Sequence, residues 1–154
     1  IKKIVTSKSS QTFIDMLGPQ LKEKYIQVLL DLPQKMPSVM ADKIQIQRVL
    51  INLMGNAIKF VSPNTGQLRI SSFEFADNIQ IDVSDNGIGM SEHDASRIFD
   101  EFYRIDNTIN QKVKGTGLGL TLVKNIILAH QGKIWVESRL NQGSTFSFSL
   151  PKVK

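Results

Sequence analysis

Four short segments of this chain carry residue types that suit a magnesium nucleotide. An amide oxygen can bind the metal, a carboxylate can accept a hydrogen bond from a base, and bare backbone amides can bind phosphate. Two phenylalanines precede a polar stretch that could form a hinged cover over a ligand. The segments are residues 52–56 with Lys59, 85–89, 99–104 and 115–120. Together they predict a site for ATP.

A polar stripe runs along one predicted helix. Asp42 can cap this helix, and apolar residues recur at helical spacing as far as about Phe60. Asn52, Asn56 and Lys59 stand at i, i+4 and i+7, so they project from one side. An amide oxygen is a hard, neutral ligand that suits Mg²⁺. Asn56 is therefore the predicted metal ligand, and a solvated stripe without a ligand is the alternative.

Asp85 ends a predicted strand, where its carboxylate can accept a hydrogen bond from an exocyclic amino group such as that of adenine. Gly87 and Gly89 follow it and permit positive φ. They would let a planar base lie against the backbone without a Cβ clash. An ordinary turn explains the same Asp-Asn-Gly sequence, so this segment predicts a base site only in combination with the others.

Glycines also precede a later predicted helix. Residues 115–120 lack the Lys of a Walker A loop, and Leu120 stands where a dinucleotide fingerprint has Gly. The N–H groups and the positive dipole end of a helix start can bind phosphate, whereas close packing would explain the glycines without a ligand. The polar stretch before them resembles a mobile cover, from which Arg104, Lys112 and Lys114 could reach phosphate or remain solvated.

Composition narrows the class of protein. The chain has 154 residues, enough for one domain that buries about 70% of its unfolded surface. It has no Cys, which excludes disulfides, thiolate metal sites and cysteine nucleophiles. No apolar run approaches the roughly 18 residues of a membrane span. The net charge of +5 is scattered along the chain, so we expect no nucleic-acid binding.

Hydrophobic periodicity predicts helices that alternate with strands. The expected fold is α+β, a two-layer α/β sandwich with a mixed sheet of about five strands and about three helices on one face. The strand over residues 78–84 alternates apolar and polar residues, which we interpret as a position at a sheet edge. The predicted helices cover 12–24, the Asp42 cap to Phe60, the Ser91 cap to about Phe102, and 115–119 to Gly132; the predicted strands cover 25–31, 67–75, 78–84, 133–137 and 145–150.

Three single residues receive structural interpretations. His93 and His130 have no second His, Cys or paired carboxylate nearby in the sequence, so neither is expected to be catalytic. His130 stands in the last turn of a predicted helix, where an imidazolium would complement the helix dipole. Trp135 is expected in the core.

The four segments together resemble the boxes of the catalytic and ATP-binding domain of bacterial sensor histidine kinases. This domain belongs to a superfamily with gyrase, heat-shock chaperones and mismatch-repair clamps. The resemblance extends over about residues 12–151 and is specific because the segments match in combination. It implies ATP and Mg²⁺ as ligands. One departure is Gly55, which stands where many relatives carry a polar residue.

The resemblance also implies roles for single residues. Asn56 would bind the metal, Asp85 would bind adenine, and Arg104 would help to hold the phosphates. Asn56, Lys59 and Arg104 form the expected catalytic set. The expected nucleotide-binding residues are Asn52, Asn56, Lys59, Phe60, Asp85, Gly87, Ile88, Gly89, Tyr103, Arg104, Lys114, Gly115, Thr116, Gly117, Leu118, Gly119, Leu120 and Thr145.

The expected reaction is transfer of the γ-phosphoryl group of ATP to a histidine on a separate helical dimerisation domain. Members of the superfamily that hydrolyse ATP carry a Glu one turn before the magnesium Asn, and here Asn52 stands in that place. A nucleotide-binding module without transfer activity and an ATP-gated clamp or chaperone are the alternatives.

The resemblance further implies the setting of the domain. Its partners would be the phosphoacceptor domain and a response regulator, and the whole protein would be a homodimer. The domain would be cytoplasmic and without membrane contact of its own, while the whole protein would be anchored in the cell membrane. We expect residues 1–10 to be a frayed lead-in from an upstream domain or linker and residues 11–154 to form the catalytic and ATP-binding domain.

Overall fold

The computed structural model describes residues 2–4, 18–33, 35–106 and 119–153. It shows a mixed sheet with helices packed on one face, which confirms the predicted α+β class. Four helices are described, and each overlaps one of the four helices predicted from the sequence. The strands are β1 (Lys2–Ile4), β2 (Gln27–Asp31), β3 (Val39–Ala41), β4 (Gln67–Glu74), β5 (Asn78–Asp85), β6 (Lys133–Arg139) and β7 (Gly143–Pro151); the helices are α1 (Gly18–Lys24), α2 (Lys43–Phe60), α3 (Glu92–Arg97) and α4 (Gly119–Ala129).

The main sheet has five strands in the order β2-β4-β5-β7-β6. β2 runs parallel to β4, and the other neighbours are antiparallel. β5 is therefore the central strand, and its predicted position at an edge is wrong. Alternating apolar and polar residues report that a sheet is covered on one face, and they carry no information on where in the sheet a strand lies.

The core lies between this sheet and helices α2 and α4. Ile81 and Val83 of β5 and Phe146 and Phe148 of β7 are buried on the same face. α2 contacts β4 and β5, while α4 contacts α2, β6 and β7. Buried positions of α2, including Leu53, recur at the spacing of an amphipathic helix. The apolar side of α2 therefore faces the sheet.

Trp135 lies on the opposite face of the sheet, so its predicted place in the core is wrong. It pairs with Ser147 of β7, whose neighbours Phe146 and Phe148 point into the core. Paired residues on adjacent strands share a face, so Trp135 and Ser147 both project away from α2 and α4. Trp135 is half-buried there.

The first described residues form a strand that the sequence does not predict. β1 pairs antiparallel with β3, with Lys3 opposite Met40. Lys2–Ile4 is therefore paired and not frayed. The assignment of residues 1–10 to an upstream domain or linker stays a prediction.

His130 joins the end of α4 to the start of α2. The backbone N–H of Asp42 donates to His130 Nε2 at 3.0 Å, and Nδ1 lies 2.7 Å from the Ile126 carbonyl oxygen. Because a backbone N–H can only donate, Nε2 must accept, and the ring is neutral with its proton on Nδ1. His130 acts here as a hydrogen-bonded link between the two helices.

The helix that follows residue 91 is shorter than predicted. Ser91 caps α3, and α3 ends at Arg97, well before Phe102. After Arg97 the backbone forms turns, in which the N–H groups of Asp100 and Tyr103 donate to the carbonyl oxygens of Arg97 and Asp100, and Phe102 has φ +64°.

Within the described ranges, no helix combines the length and apolar character needed to cross a bilayer.

Candidate functional site

A cleft of about 370 Å³ opens beside α2. Its walls come from the polar side of α2, the loop after β5, the segment after α3 and the start of α4. This volume is within the range of small-molecule sites. The predicted site residues that line the cleft are Asn52, Asn56, Lys59, Phe60, Asp85, Ile88, Gly89, Tyr103, Arg104, Gly119 and Leu120.

The α2 wall is positioned by its two ends. At its start, Asp42 Oδ1 accepts hydrogen bonds from the N–H groups of Ile44 and Gln45 at 2.9 and 3.2 Å. At its end, Lys24 Nζ of α1 donates to the carbonyl oxygens of Ile58 at 2.8 Å and Lys59 at 3.2 Å. An ammonium satisfies terminal carbonyls and complements the helix dipole. These contacts fix the last turn, which carries part of the cleft.

The amide of Asn52 has a defined orientation. Its Nδ2 donates to the Arg48 carbonyl oxygen at 2.8 Å. Its Oδ1 faces the start of α4, where a Cβ added to Gly119 would lie 3.0 Å away. Gly119 therefore keeps the backbone of α4 close to this oxygen. Asn56, one turn further along α2, also lines the cleft.

Asp85 lies at the end of β5 with a largely buried carboxylate. Burial raises its pKa, while hydrogen bonds from the backbone N–H groups of Gly87 and Ser144 oppose the rise. The Gly87 N–H lies 2.9 Å from Oδ1. The carboxylate is thus held in place by backbone donors and remains an acceptor for a further donor from the cleft.

The two glycines after Asp85 are required for different reasons. Gly89 has φ +63°, and a Cβ there would lie 1.9 Å from the Arg139 carbonyl oxygen. Gly87 has no positive φ, but its Cβ would lie 2.5 Å from the Phe60 carbonyl oxygen. The prediction of positive φ is therefore confirmed for Gly89 and wrong for Gly87. Backbone packing accounts for both glycines. Gly89 packs against the β6–β7 turn, and Gly87 packs against the end of α2.

The side chains of Lys59 and Arg104 lie near each other in the cleft. Burial lowers the pKa of Lys59, and the charge of Arg104 lowers it further, so the two groups lie close enough to repel. Lys59 Nζ also lies 5.0 Å from the centre of the Phe60 ring. Neighbouring cations in one cleft create a positive potential that attracts anions.

Two predicted residues do not line the cleft. Gly87 packs against the Phe60 carbonyl oxygen, as described above. Thr145 Oγ1 lies 2.9 Å from Ser84 Oγ, and Thr145 faces a smaller polar cavity of about 250 Å³. Ser144 lines the cleft in its place. Successive residues of a strand point to opposite faces, so the predicted residue Thr145 and its neighbour Ser144 lie on different faces of β7.

The other predicted residues fall in the segment that the structure does not describe. They are Lys112, Lys114, Gly115, Thr116, Gly117 and Leu118. Gly119 and Leu120, which begin α4, are described and line the cleft.

Six residues of the cleft were not predicted. Ile51 and Gly55 stand eight and four residues before Lys59, so helical spacing places them beside the predicted stripe. A Cβ on Gly55 would meet no atom within 4 Å, so this position opens toward free space. The others depend on contacts between distant segments, for which the sequence carries no signal. The six are Ile51, Gly55, Met90, Ile98, Ile105 and Ser144.

Comparisons with known proteins find relatives of this chain. Residues 41–154 match the family described as histidine kinase-, DNA gyrase B-, and HSP90-like ATPase. The adaptive-response sensory kinase SasA of Gloeothece citriformis is 39% identical over 139 residues, which are 90% of this chain and 35% of that protein. The chain thus spans about a third of the length of this curated relative.

Solved structures agree with this match. The nucleotide-free catalytic domain of histidine kinase ThkA has a TM-score of 0.85 and 29% identity, over 99% of this chain and 98% of that chain. ThkA in complex with the response regulator TrrA gives 0.82 and 26%, over 99% and 42%. Full-length ShkA in complex with AMPPNP gives 0.84 and 25%, over 100% and 32%. The chain belongs to the family of histidine kinase-, DNA gyrase B-, and HSP90-like ATPases.

Proposed function

We propose that this domain binds Mg-ATP and donates the γ-phosphoryl group to a histidine on a separate helical domain of a sensor kinase. One observation carries the proposal. A buried carboxylate and a pair of neighbouring cations lie in the same cleft, so a single ligand there must offer a hydrogen-bond donor to Asp85 and a strong anion to Lys59 and Arg104. A purine nucleotide does both.

Asp85 would bind the exocyclic amino group of adenine. Its carboxylate accepts from the Gly87 N–H and is buried, so a further donor forms a charge-assisted hydrogen bond in a medium of low dielectric constant. Guanine presents a carbonyl oxygen in the corresponding place and would face the carboxylate with like polarity. The site would therefore select adenine.

The phosphates would lie between Lys59, Arg104 and the start of α4. The first N–H groups of a helix have no partner within the helix and suit an anion. We include residues 114–118 in this proposal on the basis of the sequence. Catalysis would come mainly from positioning and from neutralising charge on the transferred group.

The residues present fit a magnesium ion bound together with the nucleotide. Asn56 offers an amide oxygen on the cleft wall, and Asn52 Oδ1 faces the same space because its Nδ2 donates to Arg48. Among the described residues, no three His, Cys, Asp or Glu side chains cluster as a metal site. Mg²⁺ bound mainly by phosphate oxygens and water needs few protein ligands, and it would neutralise phosphate charge.

Transfer to a side chain is favoured over hydrolysis. Asn52 is a neutral amide with its nitrogen bonded to Arg48, and it cannot accept a proton from water as a Glu would. In the proposed step, a lone pair on the acceptor imidazole nitrogen forms a bond to the γ-phosphorus. The bond from that phosphorus to the bridging oxygen breaks, and its electron pair leaves with ADP.

The relatives support the proposed partners. ShkA was solved as a full-length protein with AMPPNP, and ThkA was solved with a response regulator. For this protein we propose a helical phosphoacceptor domain, a response regulator, a homodimeric whole protein anchored in the cell membrane, and a cytoplasmic location for this domain. Nucleic acid has no part in the proposal.

A phosphotransfer assay tests the reaction. The domain is mixed with a helical acceptor domain of a sensor kinase and with ATP labelled on its γ-phosphate. A labelled acceptor supports the proposal. Bound ATP without label would identify a nucleotide-binding module that lacks transfer activity, and steady hydrolysis by the isolated domain would identify an ATP-gated clamp or chaperone.

A further inference from the structure

Tyr103 connects the cleft to a cluster of polar residues on α3. Its side chain lines the cleft, while its hydroxyl donates to Asp94 Oδ1 in a short hydrogen bond. Asp94 itself does not line the cleft. The bond therefore joins a residue of the site to one outside it.

Asp94 is fixed in its turn by the start of α3. Ser91 Oγ donates to Asp94 Oδ2 at 3.0 Å, and the Asp94 N–H donates to Ser91 Oγ at 3.1 Å. α3 contacts β6 of the main sheet. The oxygen that accepts from Tyr103 thus belongs to a rigid part of the fold.

The ring of Tyr103 has a second support. The Arg97 guanidinium lies 4.8 Å from the ring centre and pairs with Asp100 at 3.2 Å. The Tyr103 N–H also donates to the Asp100 carbonyl oxygen at 3.2 Å. These contacts hold the backbone immediately before Arg104.

The segment needs such support because little else in it is buried. Phe102 has φ +64° and is 67% exposed, so its side chain supplies little packing. Phe99 packs its ring against Phe146 with 6.1 Å between ring centres, and its carbonyl oxygen accepts from Thr121 Oγ1 at 3.0 Å. The segment is thus anchored at Phe99 by the core and at Tyr103 by Asp94.

We propose that Asp94 is a positioning residue, which by binding the Tyr103 hydroxyl holds Arg104 beside Lys59 at the phosphate end of the cleft. This inference rests on the proposed nucleotide function. Arg104 directly follows Tyr103 in the chain, so a restraint on the Tyr103 side chain limits where the Arg104 backbone can lie. The Asp94–Tyr103 bond supplies that restraint at the residue next to Arg104.

The test measures binding of AMP, ADP and ATP with Mg²⁺ by calorimetry for Asp94→Ala and Tyr103→Phe. Each variant should bind ATP about three- to tenfold more weakly, with a loss of less than about twofold for AMP, because only the longer phosphate chain engages Arg104. Equal losses for AMP and ATP would overturn the proposal. Tyr103→Phe leaves both the ring and the cap of α3 intact, so it tests the bond even if Asp94→Ala folds poorly.

A double variant tests whether Asp94 acts through Arg104. Asp94→Ala should cause no further loss of ATP affinity in an Arg104→Ala background, whereas additive losses would contradict the proposed route. Glu92→Ala is the matched control because it removes one carboxylate from the same helix, where Glu92 is exposed and does not line the cleft. It should leave ATP affinity unchanged.

Tyrosine titration gives a readout that is independent of nucleotide. The hydrogen bond to Asp94 is the main cause that raises the pKa of Tyr103. Absorbance at high pH follows tyrosine ionisation, and in Asp94→Ala the titration of one of the two tyrosines, Tyr103, should move to lower pH. Unchanged titration would show that the bond does not form in solution. A wild-type domain that binds none of the three nucleotides would instead refute the proposed function and leave this bond intact.

Discussion

Single residues at this site combine a role in the fold with a role in the proposed chemistry. Asp85 is held by the N–H groups of Gly87 and Ser144, and its burial makes ionisation unfavourable. A raised pKa means that the folded state favours the protonated acid, so the ionised Asp85 costs stability at neutral pH. Such a cost is typical of a group placed for binding.

Replacing Asp85 by Asn should separate these two roles. The amide loses the charge-assisted hydrogen bond to adenine, so ATP affinity should fall by about 1.5–3 kcal/mol, roughly ten- to a hundredfold. The free energy of unfolding should stay the same or rise, because no buried charge remains. Calorimetry with ATP and GTP and chemical denaturation measure the two effects. Equal affinities of the wild type for ATP and GTP would refute the adenine assignment.

The same carboxylate should make ATP binding depend on pH. Because burial raises the pKa of Asp85, the group takes up a proton at a higher pH than an ordinary Asp does. The ionised form binds adenine better, so affinity should fall as the pH falls through this raised pKa. The phosphate groups of ATP also titrate, so the variant Asp85→Asn serves as the control. Its ATP affinity should keep the pH dependence that comes from the phosphates and lose the part that comes from Asp85.

Asn56 should determine the metal dependence of binding. In Asn56→Ala the amide oxygen is lost, so ATP should bind equally well with and without Mg²⁺, while binding of metal-free ATP changes little. Calorimetry with and without a chelator measures this. If the magnesium dependence persists in the variant, Asn56 has a structural role only.

At the scale of the elements, the ends of α2 determine where the site residues lie. His130 binds the Asp42 N–H at the first end, and Lys24 binds the carbonyls of Ile58 and Lys59 at the other. Between them the helix buries its apolar side and presents Asn52 and Asn56 to the cleft. The helix is thus held by residues that lie far from it in the sequence.

Loss of the Lys24 contact should destabilise the domain. In Lys24→Met the two carbonyl oxygens lose their charged donor, at a cost of about 1–2 kcal/mol in the free energy of unfolding. Lys22→Met is the matched control because Lys22 lies on the same helix and is exposed. Denaturant titration of both variants measures the difference. Equal effects would show that Lys24 contributes only general charge.

At the scale of the whole molecule, the cleft joins segments that the sheet order brings together. β5 is central, so the loop that follows it lies between α2 and the β6–β7 turn. The Asn141 N–H donates to the Ile88 carbonyl oxygen at 2.7 Å, and the Ile88 N–H donates to the Phe60 carbonyl oxygen at 3.2 Å. A ligand in the cleft would therefore contact α2, the loop after β5 and the start of α4 at the same time.

Binding should stabilise the whole domain. At an ATP concentration of about 100 Kd with Mg²⁺, the free energy of unfolding should rise by about 2.7 kcal/mol, which raises Tm by about 5–10 °C for a chain of this length. GTP at the same concentration should give a smaller shift. A thermal scan that shows no shift with ATP, ADP or their magnesium complexes would contradict a nucleotide site in this cleft.

The sequence by itself determined the class of fold, the boundaries of α2 and of the β4–β5 hairpin within about one residue, and most of the residues that line the cleft. Periodicity and capping are local properties, and they act through neighbours in the chain. The combination of short segments indicated the family before any geometry was known. The site roles of Asn56, Asp85 and Arg104 remain predictions that the experiments above test.

Only the tertiary structure decided which strand is central, which face Trp135 takes, and that Ser144 rather than Thr145 lines the cleft. It also showed that Gly87 is required by the Phe60 carbonyl and that Asp94 binds Tyr103. Each of these depends on contacts between segments far apart in the chain. The spacing of residues along the chain does not identify contacts with distant segments, because strand register and close backbone contacts are set by the packing of the whole sheet against its helices.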